Sequence, residues 1–229
     1  MGNTSHAALD GARVRFQADA DLSAPMTASG FVRPRGWRRA QPFNVHPAGR
    51  SERIQAAVDD GEFDVEYTVL DDVDHNGGTL RRALVRRPVA TGGTREFVLT
   101  VWEGSSSSLA TSLPGTNPDE VDDLFDRVAF RELRTGIAVD SPVDESVRPL
   151  RCLKEVGDTL LEVRPLSPAV TRTLPRQRGR SVDHGEIFRR NQTSRDVLLV
   201  TETAAIYAAP LGDHDNHVDL AAEIAVSWG

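Results

Sequence analysis

LRRALVRRPV at 80–89 and REFVLTVW at 95–102, joined by ATGGT at 90–94, set the fold class for the whole chain. Both flanks are rich in Val, Leu, Phe and Trp, and the two glycines between them supply turn chemistry, so the spacing predicts a β-hairpin. The same grammar extends outward in both directions. Phe63, Val65, Tyr67 and Val69 alternate with Asp64, Glu66 and Thr68, the period of a half-buried strand. Asp74-His75-Asn76-Gly77-Gly78 then turns the chain, because Gly and Asn tolerate positive φ. Beyond the hairpin, Ser105–Ser108 opens a surface loop.

A helix follows, with Asn117 as its cap, Pro118 in its first turn and Asp119 and Glu120 at its positive end. Val121, Leu124, Phe125 and Val128 form its apolar stripe, and Gly136 ends the pattern. Strands are expected near 137–140, 147–156 and 159–164, then a long Pro- and Arg-rich loop over 165–185. Two long strands, about 196–208 and 217–228, close the chain around Gly212-Asp213-His214-Asp215-Asn216. In the second of them Val218, Leu220, Ala222, Ile224, Val226 and Trp228 occupy every second position. On the N-terminal side, 12–18 is a first strand, and 1–11 and 19–50 form an irregular arm marked by Pro25, Pro34, Pro42 and Pro47. Ser51 caps a short helix ended by Gly61. No internal repeat stands out. The sum is a mainly β protein, a jelly-roll-type single β-barrel or sandwich with one or two short helices. One domain over 1–229 accommodates it, with room for a small inserted β-rich subdomain.

Charge usage is skewed. Of 27 basic residues only Lys154 is a lysine, Asp outnumbers Glu, and the net charge is −7. Abundant aspartate with little lysine suits molar salt, which screens carboxylate repulsion, although a GC-rich genome gives a similar bias. No apolar run approaches the roughly 20 residues of a spanning helix. The start, Met-Gly-Asn-Thr-Ser-His, lacks the basic and apolar regions of a signal peptide, so synthesis and folding in the cytoplasm are expected. Cys152 is the one cysteine, which rules out an intrachain disulfide. It suits a small buried hydrophobe, and an odd cysteine also permits an inter-subunit disulfide.

Chemistry-bearing clusters are few. Asp213, His214, Asp215 and His217 have the ligand types for a divalent metal, but the cluster falls where a hairpin must turn. His75 and His184 lie in similar Asp/Gly-rich turns, and a cytoplasmic cupin-like metal-dependent β-barrel enzyme would gather such histidines inside its barrel. No His-x-His is followed by a Glu at the spacing that family uses. Walker-type, G-x-G-x-x-G and G-x-S-x-G motifs are all missing. Arg33, Arg35, Arg38 and Arg39, and a second group at Arg172, Arg176, Arg178, Arg180, Arg189 and Arg190, suit solvated loops, subunit contacts or phosphate groups. The acidic balance argues against a dedicated nucleic-acid binder. Asn3-Thr4-Ser5 and Asn191-Gln192-Thr193 match the glycosylation pattern by chance in a chain with no signal peptide.

In size, charge usage, β-richness and its closing hairpin Arg195–Gly229, the chain resembles a capsid family. That family is the larger major capsid protein of haloarchaeal icosahedral viruses with an internal membrane, the sphaerolipovirus type. The resemblance spans the whole chain and rests on no short motif. It implies an upright jelly-roll barrel in the virion capsid, with a structural role, no catalysis and no cofactor. The implied partners are copies of itself and a smaller major capsid protein, joined in capsomers over an internal membrane. The arginine-rich stretches would then lie at subunit seams or at the membrane-facing base.

Overall fold

The computed structural model describes residues 1–140, 147–189, 195–212 and 216–229. Its first half contains β1 (Gly2–Ala7), β2 (Arg13–Ala18), β3 (Met26–Val32), β4 (Gln41–Pro47), α1 (Arg50–Asp59), β5 (Glu66–Val69) and β6 (Val73–His75). The expected hairpin is β7 (Gly78–Pro88) and β8 (Thr94–Glu103), paired from Thr79–Glu103 to Pro88–Thr94. After it come β9 (Ser107–Pro114), α2 (Asp119–Arg127), β10 (Ala129–Leu133) and β11 (Gly136–Asp140). The last part holds β12 (Val147–Val156), β13 (Thr159–Pro165), α3 (Pro168–Thr171), β14 (Arg180–Val182) and β15 (Gly185–Arg189). It ends with β16 (Val197–Val200), β17 (Ala204–Pro210), α4 (His217–Glu223) and β18 (Ala225–Trp228).

The protein is mainly β, with sandwich-like sheets, and no closed barrel forms among the described residues. The chain divides into two compact units: a middle unit, Gly30–Arg148, and a terminal unit, Met1–Ser29 with Pro149–Gly229. In the middle unit an antiparallel sheet runs β4-β9-β8-β7-β5, β6 also pairs with β7, and β10 and β11 form a hairpin. Phe43, Leu80, Leu109, Leu124 and Phe125 are buried there. In the terminal unit the sheet runs β12-β13-β17-β16-β15-β14, and β1-β2-β18 form a second, smaller sheet. Phe16, Leu161, Leu199, Ile206 and Ile224 are buried there.

Each unit has the same internal plan. β4, β6, β7, β8, β9, α2 and β10 of the middle unit follow the order of β13, β14, β15, β16, β17, α4 and β18 of the terminal unit. Strand register makes the equivalence residue by residue. His75 opposes Gly78 as Val182 opposes Gly185, and two residues on, Leu80 opposes Trp102 as Ile187 opposes Leu199. Trp102 opposes Leu109 as Leu199 opposes Ile206, and Val45 opposes Leu109 as Val163 opposes Ile206. The following turns are closed alike, by Gly104 N–H to Ser107 C=O and by Thr201 N–H to Ala204 C=O, both 2.9 Å. Both helices leave through an extended residue, Val128 and Ile224, into a strand in which Phe130 opposes Val139 and Val226 opposes Phe16.

Several expectations are corrected. The predicted strand 217–228 is helix α4 followed by β18. His217, Ala221 and Ile224 are buried at helical spacing, and alternation begins only at Ile224, Val226 and Trp228. Leu-Ala-Ala-Glu at 220–223 is a run of strong helix formers, and this local preference prevails over the period-2 pattern. The irregular arm contains β1, β3 and β4. Pro25 and Pro34 flank β3, while Pro42 and Pro47 sit near the ends of β4, where a missing N–H is tolerated. The loop 165–185 contains α3, whose first turn is capped by Ser167 Oγ accepting from Val170 N–H (3.3 Å), and β14. Gly49, not Ser51, caps α1, since Ser51 is drawn into the helix by Glu103. α2 stops at Arg127, well short of Gly136, because Val128 turns extended to start β10. Four helices therefore stand where one or two are expected.

Candidate functional site

In the middle unit the space between helix and sheet is filled by rings. Trp102 meets Phe130 edge-on with centroids 4.9 Å apart, Phe130 meets Phe125 at 6.1 Å, and Phe125 meets Phe43 at 5.8 Å. Trp102 Nε1 donates to the carbonyl of His75 (2.8 Å). Gly78 and Gly104 make room for the indole, since a Cβ on either would stand 2.6 or 2.5 Å from its atoms. Behind it, the Glu132 carboxylate accepts the backbone N–H groups of Ser105, Ser106 and Ser107 (2.7–3.0 Å) and the hydroxyls of Ser105 and Ser106 (2.9 Å). Burial alone would raise its pKa, but these hydrogen bonds outweigh burial and hold it below the usual carboxylate value. The serine run is therefore a carboxylate cradle, which its composition alone does not reveal.

The terminal unit treats the equivalent place differently. A cleft of about 520 Å³ opens there, with Phe16, Gly185, Thr201 and Val226 among its walls and Arg15 and His184 at its rim. It is the described cavity in which polar groups of both charges converge, since Asp183 and Glu202 also line it.

Of the sequence-selected metal candidates, Asp213, His214 and Asp215 lie outside the described residues. His217 opens α4, is 2% exposed, and bonds through Nε2 to the Arg195 carbonyl. It takes the apolar place that Val121 holds in α2, seven residues before the extended exit residue. His75 belongs to the middle unit, where its ring packs against Phe125 and Phe130 with Nδ1 3.7 Å from Asp126. His184 lies in the exposed turn before β15 of the terminal unit. Among the described residues no three His, Cys, Asp or Glu side chains converge as a metal site. Cys152 is free and 1% exposed, and burial raises its thiol pKa far above the ordinary value. A bond to another subunit would require it to leave the core.

Sequence reasoning passed over Lys154. It shares the buried face of β12 with Cys152 and Val156 and is 1% exposed. Its ammonium donates to the Ala24 carbonyl and to His6 Nε2 (3.3 Å), and lies 5.7 Å from the Phe16 ring centroid. Burial lowers the pKa of both groups, and the neighbouring ammonium helps to push His6 down to about 4. The signal was present: the one lysine of the chain stands at an inward position of a strand.

The arginine-rich stretches are solvent-exposed at Arg33, Arg35, Arg38, Arg39, Arg172, Arg176, Arg178, Arg180 and Arg189, and Arg190 lies outside the described residues. A second cleft, about 540 Å³, lies in the middle unit beside edge strand β5 and is lined by Ile54, Val58, Phe63, Phe97 and Leu99 with Arg50 and Arg87. Phe63 and Val69, expected on a buried face, are 50% and 61% exposed. No helix among the described residues is long and apolar enough to cross a membrane. The class so defined is a mainly β chain whose two units share one plan. No protein-family model, curated protein or solved structure matches it.

Proposed function

We propose that this protein is a structural subunit that works by packing against other subunits, as in a viral capsid shell, and not by catalysis. The observation that carries this is the edge of the middle unit's sheet. β5 has β7 on one side only, and it presents Phe63 and Val69 to solvent next to an apolar cleft. An unprotected edge with exposed apolar side chains is a ready template for pairing with another chain. The acidic, arginine-rich surface supports a shell that assembles in high salt, with copies of itself and a smaller partner as neighbours. The exposed arginines suit seams between subunits or a lipid layer beneath them.

Analytical ultracentrifugation in molar salt, alone and with a co-encoded β-rich partner, tests the reading. An oligomer that Phe63→Glu and Val69→Glu disperse is expected, with upward of roughly 1,200 Å² buried per contact. A strict monomer under every condition would overturn it.

A further inference from the structure

The two units can be used to read each other. In the middle unit the indole of Trp102 lies against Gly78, Gly104 and Phe130. By strand register and turn closure, the terminal unit places Gly185, Thr201 and Val226 at these three positions, and Leu199 in place of Trp102. Gly185, Thr201 and Val226 all line the 520 Å³ cleft, whereas Leu199 is fully buried beneath it. The cleft is thus the place that an indole occupies in the sister unit, left open by a shorter side chain. Smaller residues deepen it, since Phe125 and Phe130 correspond to Ala221 and Val226.

We propose that this cleft is a binding site for an indole ring that comes from outside the chain. The apolar wall of Phe16 and Val226 suits the ring face. The carbonyl of Val182 stands where that of His75 receives the indole N–H in the middle unit. Around the mouth, Arg15 offers a cation, and Asp183 and Glu202 offer anions. These groups complement the carboxylate and ammonium of free tryptophan, and the ring of a tryptophan side chain on a partner uses the same floor. The shared chemistry is the indole, and the two sources are separable by experiment.

Amide shifts in two-dimensional NMR of the full chain, titrated with indole, N-acetyl-L-tryptophanamide and L-tryptophan, test the site. Saturable shifts centred on Gly185, Thr201 and Val226 are expected, and 1-methylindole, which lacks the N–H, binds roughly fivefold to tenfold more weakly. Saturation by the amide alone assigns the ring to a partner chain, and tighter binding of L-tryptophan assigns it to the free amino acid. Leu199→Trp combined with Thr201→Gly rebuilds the filled arrangement of the middle unit and should weaken binding more than tenfold. Ser227→Phe, at an exposed rim position, blocks the mouth without touching the core and decides the question if the double variant does not fold. Binding unchanged by Ser227→Phe, shifts centred elsewhere, or no saturation by any of the three ligands would overturn the proposal.

Discussion

Lowering the pH from 7.5 to 4.5 should strip this protein of a large part of its stability through two histidines, one in each unit. His6, beside Lys154, and His46, in β4 near Arg50 and Arg53, are both driven from 6.5 to about 4, chiefly by burial and secondarily by those cations. A depressed histidine pKa means that the folded state prefers the neutral ring. Above pH 6.5 both states are neutral and the full stability is present. As pH falls below 6.5 the unfolded chain takes up the proton first, so stability declines until about pH 4, where the folded rings protonate as well. A displacement from 6.5 to about 4 is worth ~3 kcal/mol per histidine, most of it expressed by pH 4.5. Two such losses are a large share of a total near 5–15 kcal/mol. Urea unfolding at pH 7.5, 5.5 and 4.5 measures the loss, and His6→Gln with His46→Gln should remove most of it. Lys154→Met should raise the His6 pKa part of the way towards 6.5, because the charge goes but the burial stays. Wild-type imidazole resonances titrating near 6.5, or an equal loss in the double variant, would refute the reasoning.

Ile224→Asp places a carboxylate at a position with no exposed surface and should cost several kcal/mol, whereas Ala225→Asp, on the partly exposed side of the same turn, should cost about 1 kcal/mol; melting curves of the two variants separate them. Cys152 should stay unreactive towards a thiol reagent until the protein unfolds, and non-reducing gels should show no disulfide-linked dimer for Cys152→Ser to abolish.

Features with a strong local cause were legible in the sequence. The 80–102 hairpin is written by two β-rich flanks around Gly92 and Gly93, whose φ values of 87° and 90° a side chain would strain. α2 is written by its cap and stripe: Asn117 Oδ1 accepts from Asp119 N–H (3.1 Å), and Val121, Leu124 and Phe125 are buried. What failed was the assignment of period where two periods fit. Val218, Leu220 and Ala222 alternate, yet their neighbours His217 and Ala221 are the ones fully buried. A histidine was read as a polar, outward residue, so the helical set His217–Ala221–Ile224 went unseen. The alternation of Phe63 to Val69 misled for a different reason. Alternation shows that one face differs from the other, but a face at a sheet edge need not be covered.

The shared plan of the two units was hidden by the same ambiguity on a larger scale. Val-Leu-Thr-Val at 98–101 and Val-Leu-Leu-Val at 197–200 look like one phrase repeated, as do Val-Asp-His at 73–75 and at 182–184. Matching the first pair of strings sets Val98 on Val197, yet the hydrogen-bond register sets Trp102 on Leu199, two residues away. A slip of two keeps every side chain on its own face of the sheet, so the apolar pattern is almost equally satisfied by either alignment. Only ladder pairing and turn closure decide between them, and these are properties of the folded chain. The distinction matters chemically. The string alignment would put Thr201 opposite Trp102 and make the loss of the ring look like a replacement by a polar residue. The register puts Leu199 there instead, so the sheet position stays apolar and buried. What has been withdrawn is the outer reach of the indole, which leaves a cleft floored by glycine and walled by Phe16 and Val226 over an intact core.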